Sequence, residues 1–322
     1  MRAAICPAYG PPEVVEVGQL PAPRLEDDQV RVRVGAAAVN FPDVLLIADR
    51  YQISVPPPFV PGSEFSGTVI EIGCRAAGFA LGDRVTGIGL HGAFAEEVVQ
   101  PVTGLTLVPA GIDDRSAAAF GVAYRTAYHA LRSVVRVRAG DDIVVLGAGG
   151  GVGLATVALG SLLGAAVTAV ASSTEKLDMA CRNGAQQVIN HRDGDLRQAL
   201  KLALPDGAHA VIDPVGGALA EPALRSLRRG GKFVTVGFAS GDIPAIPLNL
   251  VLVKGVQVLG FHMADIAPDE FSRNEGELRE LLASGRVRPH IGAVYPLEQT
   301  AAALTHVAEG RAIGKVVIDL RR

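Results

Sequence analysis

The stretch that decides the fold is VLGAGGGVGLATVALGSLLGAAVTAV, residues 145–170. Its apolar character raises the question of a membrane span, which requires about 20 apolar residues in one helix. The glycines of GAGGGVG (147–153) argue against a span, because each glycine inside a helix costs about 1 kcal/mol relative to alanine. The pattern instead predicts a buried strand before the glycines, a helix that ends at Gly164, and a second buried strand over 165–171.

This strand, turn, helix and strand form a βαβ unit, and its glycine turn predicts a dinucleotide site. The literal G-x-G-x-x-G spacing is absent, and the glycines that fit are Gly147, Gly150 and Gly153. Backbone N–H groups approach a pyrophosphate closely only where no Cβ intervenes, and the helix N-terminus attracts the anion. We therefore predict that Gly150, Gly151 and Val152 bind the cofactor. The alternative is a tight turn with a structural role alone.

The end of the second predicted strand favours NADP over NAD. An NAD site usually carries Asp or Glu here to bond the ribose 2′-hydroxyl. This chain has Ser172 and Ser173 instead, with Lys176 just beyond, and these side chains supply donors and positive charge for a 2′-phosphate. Glu175 is near, but an acid in the first turn of the next helix explains it as well. We predict NADPH as the cofactor, bound by both serines and Lys176.

Strands and helices alternate from here to about residue 261, which predicts a doubly wound parallel sheet of six strands. The helix over 218–231 is expected to end at Gly230. The predicted strands that follow the βαβ unit are 186–190, 209–215, 232–238 and 256–261.

The first 115 residues have a different character. Short β-branched runs separated by glycine and proline predict a mainly β domain, and the final strand (314–320) is expected to return to it. The predicted fold is therefore α/β. A β-rich catalytic domain spans 1–120 and 262–322, and a Rossmann domain that binds NADP spans 121–261.

Composition excludes several classes of function. The net charge is −3 with no basic stripe, so no nucleic-acid partner is expected. Cys6, Cys74 and Cys181 are far apart and odd in number, which argues against a disulfide framework and favours a reducing compartment. The first ten residues lack the apolar core of a signal peptide. We therefore expect a cytoplasmic protein without a membrane partner.

Seven motifs together resemble the medium-chain dehydrogenase/reductase superfamily, and within it the zinc-free NADPH:quinone oxidoreductase (zeta-crystallin-like) family. The resemblance covers the full chain. It implies a GroES-like fold for the β-rich domain and a homodimer formed by extension of the sheet through VQVLGF (256–261). The motifs are VNFPDVLLIADRY (39–51), VPGSEFSGTVIEIG (60–73), GDRVTG (82–87), YRTAYHAL (124–131), GAGGGVG (147–153), DPVGG (213–217) and GKVVIDL (314–320).

The resemblance also predicts that no metal is bound. Zinc-dependent relatives carry Cys, His and Cys as ligands of the catalytic zinc, and the matching positions look like Asn40, Ser63 and Val122, which are not zinc-ligand types. The implied reaction is hydride transfer from NADPH to a quinone or an α,β-unsaturated carbonyl. One alternative is an enoyl-thioester reductase that uses Arg50 and Arg125 for an acyl carrier. Another is a non-catalytic NADPH-binding protein, like the crystallins and RNA-binding members of the family.

Three residues match positions that line the nicotinamide and substrate cleft in this family: Asn40, Asp43 and Tyr51. The resemblance implies that Asn40 contacts the nicotinamide side and that Tyr51 donates a hydrogen bond or a proton to the acceptor oxygen. The alternative for Tyr51 is a residue that only shapes the pocket. The alternative for Asp43 is a turn or cap residue. Glu64 is expected to be a structural hydrogen-bonding group.

Four further residues match family positions that contact NADP: Thr126, Gly237, Phe238 and Lys315. His191 takes the place of an aromatic residue that many relatives set against the ribose phosphate, and it is expected to bond that group. The alternative for Lys315 is a charge exposed to solvent, and the alternative for His191 is a surface histidine without a ligand.

Overall fold

The computed structural model describes residues 1–321. A π-helix, Ala130–Val135, continues directly from the second α-helix. The strands are β1 (Arg2–Ile5), β2 (Glu16–Gln19), β3 (Gln29–Val39), β4 (Glu64–Ile72), β5 (Arg84–Ile88), β6 (Glu97–Pro101), β7 (Leu105–Leu107), β8 (Asp142–Leu146), β9 (Ala166–Ala171), β10 (Gln187–Asn190), β11 (Ala208–Asp213), β12 (Leu227–Thr235), β13 (Gln257–Gly260), β14 (Ile291–Pro296) and β15 (Lys315–Asp319). The α-helices are α1 (Phe41–Ile47), α2 (Asp114–His129), α3 (Gly151–Leu162), α4 (Thr174–Arg182), α5 (Leu196–Ala203), α6 (Ala220–Arg225), α7 (Leu248–Lys254), α8 (Pro268–Ala283) and α9 (Thr300–Ala308).

The chain divides into two units, the first formed by residues 1–122 with the chain from 288 onward and the second by 123–287. The sequence prediction assigned 262–287 to the first unit instead. The difference arises because α8 bonds to the second unit. The Arg125 Nε donates to Glu275 Oε2 at 2.6 Å, and Asn274 of α8 is fully buried.

The stretch 145–170 folds as predicted, into the end of β8, a glycine turn, α3 and most of β9. Gly164 follows α3 with φ +86°, the left-handed conformation that glycine adopts readily after a helix. Among the described residues, none of the helices combines the length and the apolarity that a membrane crossing requires.

The second unit contains a six-stranded sheet in the order β10-β9-β8-β11-β12-β13. Every pair is parallel, which confirms the predicted doubly wound sheet. Its central strands read as apolar runs because helices cover both faces. Val144, Leu146, Val211 and Phe233 of these strands are almost fully buried in one cluster.

One boundary in this unit was wrong in the sequence prediction. The helix expected to end at Gly230 is α6, which ends at Arg225, and β12 begins at Leu227. Gly230 has φ +74° and lies inside the irregular start of β12, where the register with β11 shifts between Ala208 and Ala210. A glycine at a bulge and a glycine after a helix carry the same sequence signal.

The first unit is β-rich, with a seven-stranded sheet in the order β14-β15-β3-β4-β5-β7 and β6 also paired to β3. The C-terminal strand β15 pairs antiparallel with β3, so it returns to this unit as predicted. This pairing brings Lys315 on β15 close to Val39 at the end of β3, and the next residue, Asn40, caps α1.

Candidate functional site

The glycine turn of the second unit is built for close backbone approach. A Cβ on Gly153 would lie 2.0 Å from the Gly147 carbonyl oxygen, and one on Gly147 would lie 2.6 Å from Val215 Cγ2. A Cβ on Gly150 would make only an ordinary van der Waals contact, 3.5 Å from the Gly147 carbonyl oxygen. Gly150 caps α3, and Gly151 begins that helix. The first N–H groups of a helix lack acceptors within it, so this turn fits an anionic group such as a pyrophosphate.

Lys176 lies over the same turn. A Cβ on Gly149 would be only 2.5 Å from Lys176 Cγ, so the absence of a side chain at Gly149 lets the lysine stem pack there. The Lys176 Nζ donates to Ser172 Oγ at 3.3 Å. Ser173 caps α4 by accepting the Lys176 backbone N–H at 3.4 Å. The structure therefore brings Ser172, Ser173 and Lys176 together at the end of β9.

Glu175 lies in the first turn of α4, as the alternative interpretation of this residue required. Its own backbone N–H and the Ser173 hydroxyl lower the pKa of the Glu175 carboxyl. This is the behaviour of an acid at a helix N-terminus.

Two more basic side chains, His191 and Arg192, follow β10, the neighbour of β9 in the sheet. We call Lys176, His191 and Arg192 the basic cluster. Burial, Arg192 and Lys176 all lower the pKa of the His191 imidazole, and burial and then Arg192 lower that of Lys176. Arg192 and Lys176 therefore both act on the His191 imidazole. Arg192 was missed in the sequence prediction, although its place beside His191 after a parallel strand was a usable signal.

Residues after β11 and β12 complete this carboxyl edge of the sheet. Gly237 donates its N–H to the Asp213 carbonyl at 3.3 Å. The Phe238 ring lies 2.8 Å from the point where a Cβ on Gly216 would be. Asp213 accepts the N–H groups of Val215 and Gly216 at 2.8 Å each, and burial raises the pKa of its carboxyl. Asp213 therefore fixes the loop that packs on the glycine turn, a role the sequence prediction did not assign.

Thr126 is half-buried on α2. Its hydroxyl makes no hydrogen bond to any of residues 1–321, so it is available to a ligand. The adjacent Arg125 is engaged, because its guanidinium pairs with Glu275 at 2.6 Å. Arg50, in the first unit, is exposed. Of the two arginines that an enoyl-thioester reductase would use for its acyl carrier, Arg125 is therefore already paired within the protein.

The first unit contains a buried polar cluster formed by Asn40, Asp43, Ser63, Glu64 and Lys315. Lys315 is 4% exposed, so the alternative of a solvated charge is wrong. Its Nζ donates to Asn40 Oδ1 at 2.5 Å, to Glu64 Oε1 at 2.6 Å and to the Val39 carbonyl at 3.4 Å. Three acceptors use all three N–H bonds of an ammonium group, so the direct contact with NADP stays a prediction.

Both the oxygen and the nitrogen of the Asn40 side-chain amide form hydrogen bonds within the cluster. Its Oδ1 accepts from Lys315, and its Nδ2 donates to Glu64 Oε1 at 3.0 Å and Ser63 Oγ at 3.2 Å. The other Glu64 oxygen accepts the Val122 N–H at 2.7 Å. Glu64 is therefore the structural hydrogen-bonding group that the sequence analysis expected. A ligand that contacts the Asn40 side chain is left with one lone pair of Oδ1.

Asp43 is the titratable member of this cluster. Burial raises the pKa of its carboxyl to about 7. The backbone N–H of Asn40, the Ser63 hydroxyl and the Lys315 ammonium act in the opposite direction and lower this pKa, but by less than burial raises it. Its Oδ2 accepts the Asn40 N–H at 2.7 Å. Asp43 is therefore a cap residue at the start of α1, which was the alternative prediction for it. Its Oδ1 is buried and has no hydrogen-bond partner within the described chain. Near pH 7 this carboxyl exchanges a proton.

Tyr51 follows α1 and packs, half-buried, against the hydrophobic core of the first unit. Its hydroxyl forms no hydrogen bond with residues 1–321. A phenol held by its ring with an unengaged hydroxyl is suited to donate to a substrate oxygen.

The donor set of the first unit does not fit zinc. Asn40 and Ser63 offer an amide and a hydroxyl oxygen, and the carboxylate of Glu64 already accepts from a lysine ammonium. Zinc in proteins favours thiolate, imidazole and carboxylate ligands in a tetrahedral set. Within residues 1–321 no group of three or more His, Cys, Asp or Glu side chains is arranged to hold a metal ion.

The second unit also contains a cavity of about 560 Å³. It is bounded by the start of α5, by α6 and by the loop 242–245, and it carries both arginines and carboxylates. None of the predicted site residues lines it.

Comparisons with known proteins agree with this architecture. A family model for an alcohol dehydrogenase GroES-like domain matches residues 26–110, and one for a zinc-binding dehydrogenase matches 151–280. The chain is 37% identical to quinone oxidoreductase-like protein 2 of Bos taurus, over 99% of this chain and 93% of that protein.

Two solved structures extend the comparison. One of an NAD-dependent alcohol dehydrogenase has a TM-score of 0.92 at 32% identity and covers 99% of this chain and 100% of that one. The quinone oxidoreductase of Escherichia coli in complex with NADPH also has a TM-score of 0.92, at 26% identity, and covers 99% and 100%. The first unit thus has the predicted GroES-like fold, the second is the Rossmann domain, and the chain is an oxidoreductase that belongs to the quinone oxidoreductase family of the medium-chain dehydrogenase/reductase superfamily.

Proposed function

We propose that this chain is a zinc-independent, NADPH-dependent reductase that transfers hydride to a quinone or an α,β-unsaturated carbonyl. The observation that carries the proposal is the buried pairing of Lys315 with Asn40 and Glu64. The Lys315 ammonium lies against Asn40, one of the three positions that match the zinc ligands of zinc-dependent relatives. Without a Lewis acid, an acceptor that is already electrophilic is the favoured substrate.

The carboxyl edge of the second unit supports NADPH as the cofactor. The glycine turn offers N–H groups to a pyrophosphate, and Ser172 and Lys176 lie where an NAD site would carry an acid. When bound, NADPH would supply the hydride. The protein contributes orientation and charge rather than covalent chemistry.

The first unit supports the proton side of the reduction. Lys315 and Glu64 fix the amide of Asn40, which leaves one Oδ1 lone pair to orient a bound group. Reduction of a carbonyl or quinone also needs a proton at oxygen, and the unengaged hydroxyl of Tyr51 is the donor we assign. Loss of that hydroxyl in Tyr51→Phe is expected to lower kcat about 10- to 100-fold, with little change in NADPH affinity.

The test is oxidation of NADPH, followed by its absorbance, against a benzoquinone, phenanthrenequinone, an alkyl enone and crotonyl-CoA. Each assay is repeated with NADH and with EDTA. We expect turnover with a quinone or the enone that EDTA does not reduce and that NADH supports poorly. Tyr51→Phe serves as the matched variant, since it retains the ring that packs on the core.

Three outcomes would overturn the proposal. Tight NADPH binding with no turnover on any acceptor would indicate a binding protein. Turnover confined to crotonyl-CoA would indicate an enoyl-thioester reductase. Alcohol oxidation with NAD that EDTA abolishes would indicate a zinc enzyme, despite the donor set around Asn40.

We also propose that the chain forms a homodimer through β13. Within residues 1–321 this strand pairs with β12 alone and ends the sheet, and Val258 on it is 45% exposed. The neighbouring helix α7 exposes Leu252 at 79% and Val253 at 69%. An unpaired strand edge next to exposed apolar side chains is suited to extend a sheet across a two-fold axis.

Val258→Lys is expected to dissociate this dimer, measured as molar mass by light scattering over a concentration series. Val188→Lys is the matched control, because Val188 is 40% exposed on β10 at the opposite edge of the same sheet. A monomeric wild type, or equal effects of both variants, would contradict the β13 interface.

A further inference from the structure

Helix α8 is hydrogen-bonded to the last turns of α2 through a buried network that the proposed function does not use. The Arg125 Nε donates to Glu275 Oε2 at 2.6 Å, and the His129 Nε2 lies 3.2 Å from Glu275 Oε1. His129 is fully buried, and the Phe271 ring stacks on its imidazole with 5.0 Å between the ring centroids. One carboxylate of α8 therefore binds two successive turns of α2.

The partners of His129 fix its tautomer. A carboxylate only accepts hydrogen bonds, so the Nε2 of His129 carries the hydrogen that Glu275 Oε1 accepts. This tautomer leaves Nδ1 as an acceptor, and the Asn274 Nδ2, which only donates, lies 3.2 Å from it. Both oxygens of Glu275 thus accept from α2. A glutamine cannot replace it there, because its amide offers one oxygen and one NH2 group to two donors.

The same network holds two side chains next to Thr126 on α2. Arg125 directly precedes Thr126, and His129 lies at the i+3 position, where side chains on a helix are neighbours. Thr126 is half-buried, and its hydroxyl makes no hydrogen bond within residues 1–321. A rotation or an axial shift of α2 would move this hydroxyl, and the bonds of Glu275 to Arg125 and His129 oppose both movements.

We propose that Glu275 is a positioning residue for hydride transfer. It holds α2 so that the hydroxyl of Thr126 meets the nicotinamide end of NADPH in the reacting geometry, and it touches neither cofactor nor substrate itself. The inference rests on the proposed NADPH-dependent function and goes beyond it, because it gives α8 a role in the rate of the reaction. A misplacement of about 1 Å at a reacting centre is enough to slow a reaction about 100-fold.

The experiment is a double-mutant cycle on kcat with the best acceptor of the panel, for variants whose fold is verified by circular dichroism. Glu275→Gln satisfies only one of the two donors of α2, and Thr126→Val removes the hydroxyl but keeps the shape of the side chain. Glu277→Gln is the matched control. Glu277 lies on the same helix and pairs with Tyr128 and Arg132, which do not flank Thr126.

We expect Glu275→Gln and Thr126→Val each to lower kcat about tenfold and to change the KM for NADPH less than about threefold, since the orientation of the cofactor changes and its affinity does not. The combined variant should lose little more than either single variant, because both changes act through the same hydroxyl. Glu277→Gln should retain kcat within about twofold.

Additive losses, full activity of Thr126→Val, or an equal loss in Glu277→Gln would overturn the inference. If Glu275→Gln does not fold, Arg125→Met takes its place in the cycle with the same expectation, because it breaks the same contact at a half-buried position. A wild type that turns over none of the acceptors would instead count against the proposed function.

Discussion

The buried polar cluster and the basic cluster each contain a lysine, Lys315 and Lys176, in contrasting surroundings. Lys315 is 4% exposed and donates to Asn40, Glu64 and a backbone carbonyl. Lys176 is half-buried beside other basic groups, and burial and Arg192 lower its pKa. A buried charge with its partners inside the fold serves the architecture and orients its neighbours. A half-buried set of like charges favours the binding of an anion from outside.

Lys315→Met is expected to have the largest effect on stability, because it removes the cation of the buried pair. It leaves the carboxylate of Glu64 buried without its cation, and removing one partner of a buried ion pair costs about 3–5 kcal/mol of stability. Lys176→Met should cost less than about 1 kcal/mol, because Lys176 is only half-buried and its ammonium donates to the neutral hydroxyl of Ser172. The measurement is the free energy of unfolding in urea followed by circular dichroism, since the chain has no tryptophan.

A second variant separates the charge effect from the loss of packing. Lys315→Met combined with Glu64→Gln removes both charges and should recover part of the stability that Lys315→Met loses. If the double variant were as unstable as the sum of the two single variants, the pairing of Lys315 with Glu64 would not be what stabilises the cluster.

Gly153→Ala has the next largest expected effect and tests the glycine turn. The new Cβ would lie 2.0 Å from the Gly147 carbonyl oxygen, a backbone atom, so the turn or α3 must shift. We expect a loss of about 1–3 kcal/mol in stability together with weaker binding of both NADPH and NADH. Gly150→Ala is the matched control for stability alone, since the nearest atom to its Cβ is 3.5 Å away. Equal costs for the two variants would contradict this geometry.

The two clusters also differ in how much the sequence reveals. The positions of Ser172 and Lys176 were predictable because they follow a parallel strand, and the carboxyl ends of such strands share one edge of a sheet. His191 was assigned by resemblance. Lys315 was assigned by resemblance alone, because its partner Glu64 is 251 residues away and no local pattern reports such a contact. The bulge at Gly230 was misread as a helix end, since local sequence does not distinguish them.

Asp43→Asn should change the pH dependence of stability. Burial raises the pKa of native Asp43 to about 7, above its ordinary value of 3.8, so the native state binds this proton more tightly than the unfolded chain. Stability of the wild type therefore falls as the pH rises through this window, by at most about 1.4 kcal/mol per pH unit. Asparagine retains an oxygen for the Asn40 N–H and lacks the charge.

The expected result is that Asp43→Asn gains stability relative to the wild type between about pH 5 and about pH 7, with a constant difference above that range. Unfolding in urea at several pH values measures it. Parallel pH curves for the two proteins would show that Asp43 does not titrate between the native and unfolded states in this range.

Gly149→Ala has the smallest expected effect on stability and the sharpest one on the basic cluster. Its Cβ would lie 2.5–2.7 Å from Cγ, Cβ and Cδ of Lys176, and because Lys176 Cβ is fixed to α4, the turn or α4 must shift slightly. The fold should therefore lose about 1 kcal/mol, while displacement of Lys176 weakens NADPH binding about tenfold and spares NADH. Lys176→Met should produce a similar loss, and the double variant should lose little more, because both changes remove the same contact. Additive losses would mean that Gly149 acts on the cofactor directly, through its backbone, and not by holding a place for the lysine.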